Sequence, residues 1–186
     1  MIFFTSDEHY CHSRILEYQP NRTFTSLEEM HEVFIQNNNA IVKGNDTVYH
    51  VGDFTFAHNT DKIYTEIISK LNGKHIFIFG SHDYWHKYLC KQENQRIMFH
   101  EVQHIKYNKE YIVACHYPMY TWPRSHYGSW HVYGHHHGRL QSVGKSYDVG
   151  VDNNNFCPVS FDELAAIMST KPNNVNYFPE EKRRHK

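Results

Sequence analysis

The chain has 186 residues, a formal net charge of -1, 40% hydrophobic residues and four cysteines. That length supports one substantial core. The near-neutral balance excludes a large electrostatic footprint for nucleic acid, the cysteine spacing excludes a disulfide scaffold, and no apolar run approaches the length of a membrane span.

Histidine is the outlier, at 17 residues. With an ordinary pKa near 6.5, these side chains are mostly neutral at pH 7 and available as ligands. The 14 Tyr and 12 Phe predict an aromatic-rich core. Cys11, Cys90, Cys115 and Cys157 read as reduced thiols, and the chain opens on a strand without a secretory pattern, so a cytoplasmic protein is expected.

Met1 to Ser6 predicts a buried strand. Ser26-Leu27-Glu28-Glu29 is a capping-box pattern that opens a helix to about Val42, with Met30, Val33, Phe34 and Ile41 at helical spacing. Thr47 to Val51 is a second buried strand. Asp61 to Leu71 predicts a helix ended by Asn72-Gly73, and His75 to Phe79 a third strand. Phe99 to Lys106 and Tyr111 to Cys115 read as strands around an Asn108-Lys109 turn, followed by His131 to Tyr133 and Ser146 to Val151. Ser160 to Glu163 is another capping box, before a helix to about Met168. The pattern predicts one α/β domain over residues 1–170, with either a central mixed sheet or two packed sheets flanked by helices. Residues 171–186 read as a basic C-terminal tail ending in Lys182-Arg183-Arg184-His185-Lys186, either solvated or loosely holding a polyanion.

Short clusters of carboxylates and imidazoles follow most of the apolar runs. They are Asp7-Glu8-His9, Gly52-Asp53, Gly80-Ser81-His82-Asp83, Cys115-His116 and Gly134-His135-His136-His137-Gly138. Strands that end in such loops gather distant residues at one rim of a sheet. This donor mixture suits a catalytic transition-metal site better than a closed structural one. In isolation, Asp7-x-His9 occurs often by chance and Gly52-Asp53 is also an ordinary strand-ending turn. Alternating histidines between glycines are harder to explain by packing.

In order and residue type, these clusters resemble the calcineurin-like metallophosphoesterase superfamily, over roughly Met1 to Met168. Thr5 to His9, Gly150-Val151-Asp152 and Pro158-Val159-Ser160 resemble a group of small bacterial and phage phosphoesterases within it. The resemblance implies an α/β fold of two mixed β-sheets packed face to face as a sandwich flanked by helices. It also implies a dinuclear site, with Asp7, His9, Asp53 and His137 on one metal. Asp53 would bridge to a second metal held by position 81, His116 and His135. Hydroxide generated between the ions would attack a phosphate ester. His82 would protonate the leaving oxygen or steady phosphoryl charge, and Asp83 would hold the His82 ring. The family has Asn where this chain has Ser81, a shorter and poorer ligand, so the second metal site is expected to be weakened.

The implied cofactors are two divalent ions, Mn²⁺ first, with Zn²⁺, Fe or Ni²⁺ compatible with the same donors. The implied partner is a phosphate ester, a phosphodiester of a nucleotide or nucleic acid ahead of a monoester, with no membrane. A metal-binding scaffold without catalysis is the competing reading from another class. Arg139 is a candidate phosphate contact or a solvated cation. Tyr10, Tyr117 and Trp122 are candidates for a stacking wall, against ordinary packing. His12 reads as a neighbour of the first cluster and His136 as a structural or surface residue, while His50 and His58 take no assignment.

Overall fold

The computed structural model describes residues 1–85 and 97–179. In chain order its elements are β1 (Ile2–Thr5), α1 (Ile15–Tyr18), α2 (Leu27–Ile41), β2 (Thr47–Val51), α3 (Thr60–Glu66), β3 (Lys74–Ile78), β4 (Ile97–His100), β5 (Gln103–Tyr107), β6 (Glu110–Ala114), β7 (Trp130–Tyr133), β8 (Ser146–Asp148), β9 (Val159–Ser160) and α4 (Phe161–Thr170). Short 3-10 turns lie at Ile68–Lys70, Ser125–Tyr127 and Val151–Asn153.

Two mixed sheets result. The first has five strands in the order β4-β3-β2-β1-β9, all parallel except β9. The second has four in the order β5-β6-β7-β8, with only β5 antiparallel to its neighbour. Alternation along β1 explains the layering: Ile2 and Phe4 join one apolar cluster, and Phe3 joins another with Val42 and Val48. The first cluster unites Phe4, Val51 and Ile78 with Ile112, Ala114 and Val132 of the second sheet and with Leu164 and Met168 of α4. A further cluster sets Phe54 and Phe77 against Met30 and Phe34 of α2 and Ile63 of α3. Strands covered on both faces read as continuous apolar runs, which is why they stand out in the sequence. The two-sheet alternative is therefore the correct one, and the core is aromatic-rich as expected. No helix among the described residues is long and apolar enough to cross a membrane.

Both helix caps form. The Ser160–Glu163 box is reciprocal. At α2, Ser26 Oγ accepts from the Glu29 amide at 3.1 Å, but the Glu29 carboxylate turns to the amide of Thr25. Several boundaries differ from expectation. The helix expected over 61–71 leaves α geometry at Ile67 (φ -121°, ψ -68°) and finishes as a 3-10 turn. In 3-10 geometry residues three apart align, so Ile68 and Leu71 both reach the core. The single strand expected over 99–106 is two strands in different sheets, β4 and β5, because exposed Glu101 and Val102 carry the chain across. The strand expected over 146–151 stops at Asp148, whose Oδ1 accepts from the Gly150 amide at 2.8 Å and curls the chain.

Past α4 the chain is mostly exposed but is anchored at Asn174. The buried Asn174 amide donates to Ser125 O (2.8 Å) and Ser129 O (3.0 Å) and accepts from the Lys145 amide at 2.7 Å. The basic cluster at 182–186 and Cys90 lie outside the described residues.

Candidate dinuclear metal centre

The carboxyl ends of β1, β2, β3, β6 and β7 meet at one rim, joined across the sheets by a bridge between Ser6 and Gly150. Each carries one cluster of the sequence. The turns that leave these strands are tight. Asp7 (φ 58°), His9 (52°), Asp53 (55°), His135 (74°) and His137 (51°) all occupy the left-handed region. Such backbone costs on the order of 1 kcal/mol per non-glycine residue and concentrates at functional sites. Here it is held by backbone hydrogen bonds that Asp7 N donates to Gly52 O and His9 N to Asp53 O, both 3.0 Å. Two glycines permit the close approach: a Cβ at Gly52 would overlap the His116 ring, and one at Gly134 would overlap Ser6 and Asp7.

The donors form two groups, Asp7 with His9 and His137, and Asp53 with His116 and His135, each with ligand atoms within 4.8 Å of one another. Asp53 lies between them. Its Oδ2 is 3.4 Å from His116 Nε2 and 3.9 Å from His9 Nε2. His137 Nε2 is 3.9 Å from Asp7 Oδ1, and His135 Nδ1 is 3.2 Å from His116 Nε2. Ser81 Oγ lies 3.1 Å from Asp53 Oδ2. All seven side chains expected as ligands are thus in one place.

Burial and mutual proximity set the electrostatics. Burial pushes Asp7 up to about 7, partly countered by His137 and His116. Burial acts the same way on Asp53, but His116 and the amide of His82 hold that carboxyl well below the usual range. Burial disfavours a charged His116, yet Asp53 beside it raises the ring to about 9. Burial lowers His9 to about 2, so the ring is neutral, and neither of its nitrogens has a hydrogen-bond partner. Buried polar atoms are seldom left unpaired, and a neutral imidazole flanked by carboxylates is a metal donor. The residues present fit divalent cations.

His82 stands at the rim, its ring stacked on Phe56 at 4.4 Å with Nε2 4.0 Å from Asp53 Oδ2. Asp83 does not hold that ring, contrary to the sequence reading. Its buried carboxylate accepts from the amides of Gly80 (2.9 Å), Asp53 (2.7 Å) and Phe54 (2.9 Å) and from the Trp85 indole (3.0 Å). It therefore ties the loop after β3 to the loop after β2, since an ionised carboxylate can only accept and these donors converge on it. Arg139 is exposed and donates to Gln19 Oε1 at 2.7 Å. Of the proposed stacking wall only Tyr117 is open, 47% exposed, with its ring edge-on to His116 and His135. Tyr10 and Trp122 are core residues. His12 packs on Phe56 at 3.8 Å and His136 on His135.

Two residues were missed. Asp152 accepts from His137 Nδ1 at 2.6 Å, and Arg22, 2% exposed, pairs with Asp152. Asp152 had a signal, the Gly150-Val151-Asp152 motif. Arg22 had none, because its partner is 130 residues away.

The two-sheet fold is the one expected from the sequence, and the residues of its motif set meet at one rim. No family model matches the chain. The Methanocaldococcus jannaschii protein MJ1445, described as uncharacterized, is 32% identical over 174 residues, covering 90% of each chain. Among solved structures, AQ665 from Aquifex aeolicus, a protein of unknown function, shares the fold with a TM-score of 0.72 at 23% identity, covering 90% of this chain and 98% of that one. An archaeal phosphodiesterase gives a TM-score of 0.45 at 20% identity, covering 80% and 81%.

Proposed function

We propose metal-dependent hydrolysis of phosphate esters for this chain, which belongs to the same family as the archaeal protein MJ1445. The observation that carries the reading is His9, a buried neutral ring with no hydrogen bond to either nitrogen, set among Asp7, Asp53 and His137. Asp7, His9 and His137 would hold one ion, and Asp53, His116, His135 and Ser81 the other, with Asp53 placed between the two groups. Mn²⁺ is our first choice; Zn²⁺, Fe and Ni²⁺ suit the same nitrogen and oxygen donors. When bound, such a pair supplies a clamp for phosphate oxygens and an activated nucleophile.

The remaining work falls to side chains of the rim. His82, steadied by Phe56, carries the proton delivered to the leaving oxygen as the ester bond breaks. Asp83 sets the position of Asp53 through the backbone. Tyr117, about half exposed, offers a ring for a base, and by analogy with the family the sequence resembles we put a phosphodiester of a nucleotide or nucleic acid ahead of a monoester. A cytoplasmic setting belongs to the same proposal and rests on the cysteine spacing of the sequence.

The test is turnover by protein stripped of metal and reloaded with Mn²⁺. Hydrolysis of bis-p-nitrophenyl phosphate is expected to exceed that of p-nitrophenyl phosphate. It should fall by about 10²–10⁴-fold in His82→Ala. Faster turnover of the monoester would identify a phosphomonoesterase. Tightly bound metal without hydrolysis across a broad panel of esters would identify a binding scaffold.

A further inference from the structure

Arg22 is buried beside the first ligand cluster, and every N–H of its guanidinium is engaged by the protein. Nε donates to Asp152 Oδ1 at 2.7 Å. Nη1 donates to Glu8 O at 2.9 Å and approaches Met30 Sδ at 3.6 Å. Nη2 donates to Asp7 O at 2.6 Å and to Asp152 Oδ2 at 2.8 Å. Nothing is left over for a substrate phosphate. The same Asp152 Oδ2 accepts from His137 Nδ1 at 2.6 Å. One guanidinium therefore ties the loop bearing Asp7 and His9 to the carboxylate that grips His137.

We infer that Arg22 and Asp152 are positioning residues that lock His137 in the tautomer with its proton on Nδ1. Nε2, on the side of Asp7, is thereby left as the ligating lone pair. A neutral imidazole has one N–H, and an ionised carboxylate has only acceptors, so the nitrogen that faces Asp152 carries the hydrogen. Both oxygens of Asp152 already accept from the Arg22 guanidinium, at 2.7 and 2.8 Å, so the carboxylate meets His137 as an acceptor. Lysine would not substitute for Arg22, because one ammonium cannot span two carbonyls and both oxygens of a carboxylate. Partners of this kind fix the orientation and tautomer of ligating histidines generally, and their loss costs about 10–100-fold in metal affinity.

The inference rests on the metal-centre reading above, and its test separates the two. In metal-stripped protein labelled with ¹⁵N-histidine, long-range proton–nitrogen spectra at pH 8 are expected to show His137 protonated at Nδ1 and bare at Nε2. In Asp152→Asn the new NH₂ faces an N–H of Arg22 whichever way the amide turns, because Nε and Nη2 each donate to one oxygen of the carboxylate, so the fork that steadies His137 is broken. Calorimetric Mn²⁺ titration should then show one ion bound about 10–100-fold more weakly and the other as in wild type. Arg22→Lys should weaken the same ion while the proton stays on Nδ1. A wild-type His137 protonated at Nε2 overturns the inference, and needs no variant to fold. So does an Asp152→Asn protein that binds both ions with wild-type affinity. Wild-type protein that binds no divalent ion removes the phosphoesterase reading instead, and leaves the tautomer to the spectra.

Discussion

Ser81 presents its hydroxyl to the carboxylate of Asp53, with Oγ 3.3 Å from Oδ1 and 3.1 Å from Oδ2. The hydroxyl is a donor here and occupies lone pairs of the carboxylate that lies between the two ligand groups. An asparagine at this position extends the arm by one carbon and offers a carbonyl oxygen, a better neutral ligand. Ser81→Asn is expected to tighten the second ion by about tenfold, or about 1.4 kcal/mol, and to raise turnover at limiting metal. Calorimetric titration with Mn²⁺ measures it. Equal second-ion affinity and equal rate in the two proteins would show that position 81 contributes nothing to the site.

A pH dependence of stability follows from His131, a buried ring outside the ligand set. Its Nδ1 donates to Val113 O at 2.9 Å and its Nε2 accepts from the Met119 amide at 3.1 Å, so it anchors the start of the loop that carries Tyr117. Burial lowers its pKa to about 4, partly countered by Val113. The unfolded chain has an ordinary histidine near 6.5 and binds the proton first on acidification. The stabilisation is therefore full above about pH 6.5 and is lost as pH falls toward 4, and it amounts to roughly 3 kcal/mol. His50, lowered to about 3 by burial, adds to the same slope, so the informative quantity is a difference between proteins. Urea denaturation of metal-stripped protein from pH 7.5 to 4.5 should show a shallower loss in His131→Gln, whose amide can make both hydrogen bonds but does not titrate. Identical slopes would place the acid sensitivity elsewhere.

The candidate ligands were legible because strands covered on both faces are continuous apolar runs, and the polar residue that ends each run marks the rim. Ile76-Phe77-Ile78-Phe79 before Gly80 and Ile112-Val113-Ala114 before His116 are of this kind. Which sheet a strand joins was not legible. Glu101 and Val102 move the chain from β4 to β5 without a proline, glycine or other break in pattern. The role of Asp83 was misread because adjacency to His82 suggested a pair, whereas the free amides of Asp53 and Phe54, some 30 residues earlier, are what its carboxylate meets. Arg22 was invisible for the same reason: a buried fork is defined by its acceptors, and those lie on Asp7, Glu8 and Asp152.

Substitution at Tyr117 tests whether the proposed site prefers nucleotide esters to other phosphodiesters. Its ring leans edge-on against His116 (5.1 Å between centroids) and His135 (4.9 Å), and about half of the side chain is open. A base stacked on that face would lie beside the second ligand group. Stacking of one base is worth about 1–3 kcal/mol. Tyr117→Ala is therefore expected to reduce kcat/KM for the p-nitrophenyl ester of a nucleoside 5′-phosphate by roughly 5–150-fold, while methyl p-nitrophenyl phosphate is hydrolysed as by wild type. Tyr117→Phe, which keeps the ring, should retain most of the preference. Both substrates share the leaving group and the phosphorus chemistry, so their ratio isolates recognition of the base. A ratio unchanged in the alanine variant would assign the ring to support of His116 and His135, and a parallel loss on both substrates would say the same.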